Sequence, residues 1–340
     1  MSPKHVSRRK VLKTGLGVAI GASASTFSIG SYAQSKPIPI TIANAAGNVN
    51  LIMQELMKQQ GFLEKMGLAP TIMNVADGGK MMGGIINGEI DCSTMSGFGQ
   101  IFPAIEKGAK LKVLAGAALL PSLAVFTTKP EVKTLKDLEG KTVGTGSLGA
   151  LLHQLMVALM KKHGVDVDKV RFVNIGASGD VFRAATMGTI DAGTGEVAVI
   201  EQTDVYKVRL VEQGNMSIEL PEYTYQGAWA SEQAIKTKRE AIVRALAAYA
   251  QLYRFVHKQE ALDAFLKARK VVFPNGTEAD GMANWHYLQQ FKPYASDLVV
   301  DDARMKYMQQ LNVDLNVQTK LLPFDQVADM SLAQEALKML

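Results

Sequence analysis

Short apolar runs alternate with amphipathic stretches of helical period along most of the chain, and the alternation occurs twice. Pro39–Ala43 reads as a strand, Leu51–Gln60 as a helix and Thr71–Val75 as a second strand, followed by a helix over 80–87. Lys141–Thr145, Ala150–His163 and Arg171–Ile175 repeat that order. The segment from Gly79 through Gly88-Glu89-Ile90-Asp91 aligns with Gly179 through Gly188-Thr189-Ile190-Asp191, an offset of 100 positions. In both copies a helix breaks at a glycine turn, and Ile-Asp then enters a short strand. Each half therefore reads β-α-β-α-β, too long a period for a solenoid and suited to two related α/β lobes. Helix 150–163 carries Leu151, Leu155 and Leu159 beside Leu152, Met156 and Met160, a broad buried stripe. A longer helix over Lys238–Val256 repeats the logic through Ile242, Leu246, Tyr249, Tyr253 and Val256. Strand–helix alternation predicts parallel sheets with right-handed crossovers.

Two further strands fall outside the repeat. Leu123–Thr128 precedes the second copy and Gln226–Ala230 follows it. They predict two interlobe crossings, with lobe one formed by 36–127 and 227–340 and lobe two by 128–226. Two short connections side by side are what a hinge requires. The stretch 277–340 reads as helices packed on lobe one, with Thr277 and Asp280 capping the helix that bears Trp285.

Charge changes the picture only at the amino terminus. The 340 residues include 37 Lys+Arg and 32 Asp+Glu, a net charge of +5. Residues 1–33 hold Lys4, Arg8, Arg9, Lys10 and Lys13 and no acid, so the remaining basic and acidic residues balance. That distribution gives no support to nucleic-acid binding. Ser-Arg-Arg-Lys at 7–10, a weakly apolar Gly/Ala/Ser run, and Ser31-Tyr32-Ala33 form a basic region, a modest hydrophobic region and a small-residue exit. The paired arginines resemble a twin-arginine export signal, with Val11 where that motif usually carries Phe. The expectation is a signal peptide over 1–33, cleavage near Ala33, and a mature protein in the periplasm. The one cysteine, Cys92, excludes an intramolecular disulfide framework and any multi-cysteine metal site.

Specific sequence blocks carry a family resemblance. Thr134-Leu135-Lys136-Asp137-Leu138-Glu139-Gly140-Lys141-Thr142-Val143-Gly144 is followed by Gly146-Ser147, His153 and Gly188-Thr189-Ile190-Asp191-Ala192. In the first half stand Gly88-Glu89-Ile90-Asp91, Glu106-Lys107-Gly108-Ala109 and Lys112-Val113-Leu114-Ala115. In order and spacing these resemble the nitrate/sulfonate/taurine-type periplasmic substrate-binding proteins of ABC transporters, over roughly residues 38 to 270. That group lies in the thiamine-pyrimidine-synthase-like superfamily, which also holds pyrimidine-binding proteins and pyrimidine synthases. The resemblance implies an α/β, type-II periplasmic-binding-protein fold: two Rossmann-like lobes with a double hinge crossing, closing on a ligand. It also implies delivery of a small organic anion, sulfonate-like by family frequency, to a membrane permease; the expectation is a monomer without cofactor or metal. Aromatic carboxylates and pyrimidines are alternative ligands on the same fold.

In an open α/β sheet, ligands sit beyond the carboxyl ends of the strands, beside helix N-termini whose free N–H groups favour anions. Four loops fall there. Asn44, Ala46 and Asn48 follow the first strand; Ser96, Gly97 and Phe98 follow the strand at Cys92. Ser147, Leu148 and Gly149 open helix 150, and Gly195 and Glu196 open the next helix. Ser96 and Ser147 rest on the resemblance as well as on position, whereas Asn44 and Asn48 read equally as turn and capping residues. Related proteins often carry an aromatic residue and proline where Glu196 stands. An acid there either compensates a helix dipole or meets an amino group of the ligand. Trp229 on the return strand is either an aromatic wall or a core residue, as are Phe98 and Tyr225. Asp91 and Asp191 read as turn residues that accept backbone N–H groups, and Asp77 as a helix cap.

An enzyme finds little material. No histidine pair has metal-ligand spacing, and no nucleophile elbow, Walker loop or dinucleotide fingerprint is present. Cys92 is the one conceivable nucleophile, and a small buried thiol is its commoner role at a strand start. The expectation is a binding protein and not an enzyme; the alternative class is an enzyme on the bilobed fold that uses Cys92.

Overall fold

The computed structural model describes residues 36–340; the export-like leader and its cleavage point lie outside the described residues. Its strands form two five-stranded sheets on one plan. β1 (Ile38–Ala45), β2 (Leu68–Val75), β3 (Cys92–Ser96), β4 (Leu111–Gly116) and β10 (Gly227–Ser231) run in the order β2-β1-β3-β10-β4. β5 (Leu123–Thr127), β6 (Thr142–Thr145), β7 (Arg171–Asn174), β8 (Ala192–Glu196) and β9 (Arg209–Asn215) run β7-β6-β8-β5-β9. In each sheet the three strands of the repeat are parallel neighbours, followed by a strand delivered from the other lobe.

That delivered strand corrects two expectations. β10 is antiparallel to β3 and β4, and β5 is antiparallel to β8 and β9, so both sheets are mixed and not parallel. Without a crossover helix, a strand arriving from outside enters against the direction of the βαβ units. β5 also lies in the second sheet, so the lobe boundary expected after Thr127 falls before Leu123. All of β5 is buried, and a short apolar run does not reveal which of two sheets it completes. The crossings are residues 117–122 and 216–226. They lie side by side: the Gln226 N–H donates to the Ala118 carbonyl at 2.8 Å and the Ala117 N–H to the Gln226 carbonyl at 3.0 Å.

The repeat is visible atom by atom. α1 (Asn48–Gln60) and α2 (Gly78–Ile86) connect the strands of lobe one; α3 (Ile101–Glu106) follows β3. α4 (Leu151–Lys162) and α5 (Ser178–Thr186) are the lobe-two counterparts of α1 and α2. α2 and α5 both give way to a left-handed glycine, Gly88 at φ +79° and Gly188 at φ +69°. Only glycine adopts that conformation without a Cβ penalty. The Asp91 carboxylate then accepts the Thr41 N–H at 2.8 Å, and Asp191 accepts the Thr142 N–H at 2.7 Å.

α6 (Glu232–Val256) buries Ile242, Leu246, Tyr249, Tyr253 and Val256, and it contacts strands of the first sheet. It begins at Glu232, earlier than the periodicity suggests, with the Ser231 hydroxyl accepting the Ala234 N–H. Lys238 is non-helical and marks a kink where the expected helix starts. The longer helices that follow are α7 (Leu262–Val272), α8 (Glu278–Phe291), α9 (Asp302–Asp314) and α10 (Ser331–Leu337). α9 packs on α3 and α10 on α6, within lobe one. α8 also packs against Val197–Gln202 of lobe two, so the carboxy-terminal helices reach across the divide. Thr277 and Asp280 form the expected capping box at the start of α8. Among the described residues, no helix is long and apolar enough to cross a membrane.

Candidate functional site

The carboxyl ends of β1, β2 and β3 face those of β6 and β7 across a cleft. Lobe one contributes Ala45–Gly47, Val75, Ala76, Gly78, Ser96, Gly97 and Gln100. Lobe two contributes Gly146, Ser147, Ala150–Leu152 and Gly176–Ser178, and the return crossing adds Tyr225 and Gln226. The N-termini of α1, α4 and α5 converge here, and none of the three has a side-chain cap. Their first-turn N–H groups and partial positive charge are thus available to an anion. The N-terminus of α2 is different, because the Asp77 carboxylate accepts the Lys80 N–H at 2.7 Å.

The lobes touch at several points around this cleft. At one edge the Ser147 hydroxyl of lobe two donates to Asp77 of lobe one at 2.8 Å. The Lys80 N–H and then Ser147 hold the Asp77 carboxyl below the usual range. Beneath, the Gln154 amide donates to Asn312 at 2.6 Å, and Asn312 donates to the Gly99 carbonyl at 2.8 Å. On the far flank the Tyr206 hydroxyl donates to Asp280 at 3.0 Å, and His286 meets Glu201 at 3.1 Å. At Gly97 an added Cβ would come within 2.8 Å of the Leu151 Cβ. The two lobes are therefore in a closed arrangement.

The model of the family described as NMT1/THI5 like matches residues 50–261, more than half of the chain. The chain belongs to the NMT1/THI5-like family. No curated protein matches its sequence. Among solved structures, the alkanesulfonate-binding protein SsuA from Xanthomonas axonopodis pv. citri, bound to MOPS, superposes with a TM-score of 0.68 at 16% identity, covering 89% of this chain and 98% of that one. The periplasmic nitrate-binding protein NrtA from Synechocystis gives 0.68 at 10% identity, covering 89% of each chain. The desulfurization enzyme DSZB gives 0.59 at 15% identity, covering 89% of this chain and 99% of that one. At these identities the likeness concerns the fold, and it is the bilobed periplasmic-binding-protein fold.

Within this NMT1/THI5-like chain the residues singled out by sequence separate into two groups. Ala46, Ser96, Gly97 and Ser147 line the cleft, and Asn48 and Glu196 line an adjoining cavity. Asn44, Phe98 and Trp229 do not line these cavities. Asn44 is wholly buried, accepting from the Thr94 hydroxyl and the Met95 N–H and donating to Tyr249. Phe98 packs edge-on against Phe102 in the core. Trp229 is wholly buried in a central strand, its indole N–H donating to Ser96 at 2.8 Å, so it is no aromatic wall. Leu148 is two-thirds exposed and lies outside the lining, as does Gly149, whose N–H donates to His153. Gly195 packs against Phe126 and Phe182.

The serines also differ from expectation in what they offer. Ser96 accepts from Trp229 and bonds Ser93, and the Ser147 proton is committed to Asp77. Free donors come instead from the helix N-termini. Among the polar lining residues, Ser178, Gln100 and Gln226 are not apparent as such in the sequence. Ser178 had a signal, since it stands 100 positions after Gly78 at the start of the repeated helix. Gln100 and Gln226 each have a buried Oε1 without a hydrogen-bond partner, an arrangement that favours a donor from a ligand.

Glu196 occupies the meeting point of two cavities beside the cleft. Burial pushes its carboxyl up to about 7, against weaker opposing hydrogen bonds from the Ser122 and Ser178 hydroxyls. Cys92 is buried in β3 away from the cleft lining, and burial, then the Asp91 charge, push its thiol well above the ordinary range. Among the described residues no group of His, Cys, Asp and Glu is arranged to hold a metal ion.

Proposed function

We propose that the protein is an exported solute-binding protein that closes on a small organic anion, sulfonate-like in its head group, and delivers it to an ABC-type permease. The observation that carries the reading is the convergence of three uncapped helix N-termini, from both lobes, on one cleft. An anion at that point is attracted by both lobes at once, and only a ligand with greater affinity for the closed form can shift a hinge equilibrium toward it. Family membership and the sulfonate- and nitrate-binding structural neighbours agree with this ligand class. Ala46, Gly97, Ser147, Ser178 and Gln226 are the proposed wall of the site, and the leader implies work outside the cytoplasm. A protonated, buried Cys92 thiol offers no ready nucleophile, which favours binding over turnover.

A thermal-shift screen of the mature protein against organic sulfonates, aromatic carboxylates and pyrimidines tests the reading. A ligand at 100 times its Kd adds about 2.7 kcal/mol, enough to raise the melting temperature by several degrees. A sulfonate is expected to give that shift. Stabilisation by pyrimidines alone would replace the ligand class, and consumption of a ligand that depended on Cys92 would replace binding with catalysis.

A further inference from the structure

Glu196 stands where hinge motion changes its surroundings. It ends β8 of lobe two and reaches into a side pocket built by other parts of the chain. Asn50, Tyr287 and Tyr294 of lobe one form some of its walls, and Ser122, Tyr225 and Gln226 of the two crossings form others; among the described residues Glu196 is the one member of lobe two. The cavity on its other side is shared by both lobes, through Asn48 of α1, Arg269 of α7 and Asp280 of α8. Closing the lobes encloses the carboxyl between these walls, and opening withdraws the lobe-one side from it.

The charged groups on the elements around it are already engaged. Arg269 is ion-paired with Asp280 at 3.2 Å, and the Tyr206 hydroxyl donates to the same Asp280 at 3.0 Å. His286 of α8 meets Glu201 at 3.1 Å, and Asp180 and Arg183 pair with each other on the exposed face of α5. Burial pushes the phenols of Tyr225, Tyr287 and Tyr294 up, so these three stay uncharged. Glu196 accepts from two neutral hydroxyls, Ser122 at 3.5 Å and Ser178, and no Lys, Arg or His lines the side pocket among the described residues. Hydroxyl donation offsets only part of the cost of enclosing a charge, so the protonated carboxyl is the form that suits the closed pocket.

We propose that Glu196 is a proton-operated hinge switch: closure of the lobes takes up a proton from solvent at this carboxyl, and loss of that proton favours the open form. The switch rests on the reading of the two lobes as hinged and not on which ligand the cleft takes. A carboxyl raised in the closed form, here to about 7 from an ordinary 4.5, favours closure at low pH and ceases to as pH rises through that window. Ser122 and Tyr225 belong to the crossings and stay beside Glu196 in either form, so opening relieves part of the cost. Relief equivalent to about one pH unit makes the closed-to-open ratio about tenfold smaller at pH ~8 than at pH ~5. A ligand that needs the closed cleft is held less tightly in the same proportion.

Förster transfer between dyes on Asn87→Cys and Met187→Cys, exposed positions that correspond in the repeat, reads lobe separation in the ligand-free mature protein; Cys92 is buried. Transfer is expected to fall as pH rises, with its midpoint between pH ~6 and ~7. In Glu196→Gln, verified as folded by its melting transition, transfer should stay at the low-pH level throughout. Ser122→Ala removes a donor to the carboxylate and should move the midpoint to higher pH, which reads the same linkage should Glu196→Gln not fold. His286→Gln should leave the native response in place. Transfer that does not change with pH in the native protein overturns the switch and leaves ligand-driven closure intact. A response that persists in Glu196→Gln, a midpoint unmoved in Ser122→Ala, or a response lost in His286→Gln overturns it as well.

Discussion

At the scale of single residues, position in the chain says less than the direction a side chain takes. Asn44 and Phe98 stand at or just beyond strand ends, where a ligand would be sought, and Trp229 lies in the strand that follows a crossing, yet each turns inward. Successive residues of a strand point to opposite faces, so one position separates a wall residue from a core residue. Ser96 and Ser147 do reach the cleft, but their hydroxyls serve Trp229 and Asp77. Glu196 is the residue whose chemistry departs most from the ordinary. Its carboxyl titrates near 7 in the folded, ligand-free protein, against an ordinary value of 4.5. Between those values the native state keeps a proton that the unfolded chain releases, so stability falls as pH rises through this window. The loss is on the order of 3 kcal/mol, complete above pH ~7. Glu196→Gln has no such titration. Urea denaturation should therefore find the variant more stable than the native protein at pH 8 by about that amount, with the gap closing near pH 4. A stability difference that does not change with pH would contradict the burial of an uncompensated carboxylate.

At the scale of elements, the internal repeat was the most legible feature, because it rests on paired local requirements. Gly88 and Gly188 need the left-handed turn, and Asp91 and Asp191 each hold the backbone of the first strand of their own repeat. The direction and sheet of β5 and β10 were not legible. A buried strand of five residues reads the same in either sheet and either orientation. Gln226 escaped notice for a similar reason: its backbone bonds the other crossing, and only the folded chain brings its amide to the cleft. The closed arrangement depends on close passage of the β3–α3 loop over the start of α4. Gly97 permits it, since a Cβ there would lie 2.8 Å from the Leu151 Cβ. Gly97→Ala is expected to push the lobes apart and weaken ligand binding by about tenfold, the cost of a small overpacked contact. Its melting temperature without ligand should change little, because each lobe keeps its own core. Unaltered affinity measured by titration would show that the loop does not govern closure.

At the scale of the whole molecule, two sheets of the same plan are joined by two bonded crossings, and their strand ends face one another. Contacts at Asp77–Ser147, Gln154–Asn312 and Tyr206–Asp280 hold the lobes together around the cleft. These contacts are polar, and a ligand that contacts both lobes shifts the balance further toward closure. Net charge balances outside the leader, so attraction for an anion is local to the helix N-termini and not a property of the whole surface. Small-angle scattering of the mature protein, without ligand and saturated with an anion shown by titration to bind, tests this most directly. The account predicts a smaller radius of gyration with ligand, approaching the closed arrangement described above. A bound anion that leaves the scattering profile unchanged would contradict it.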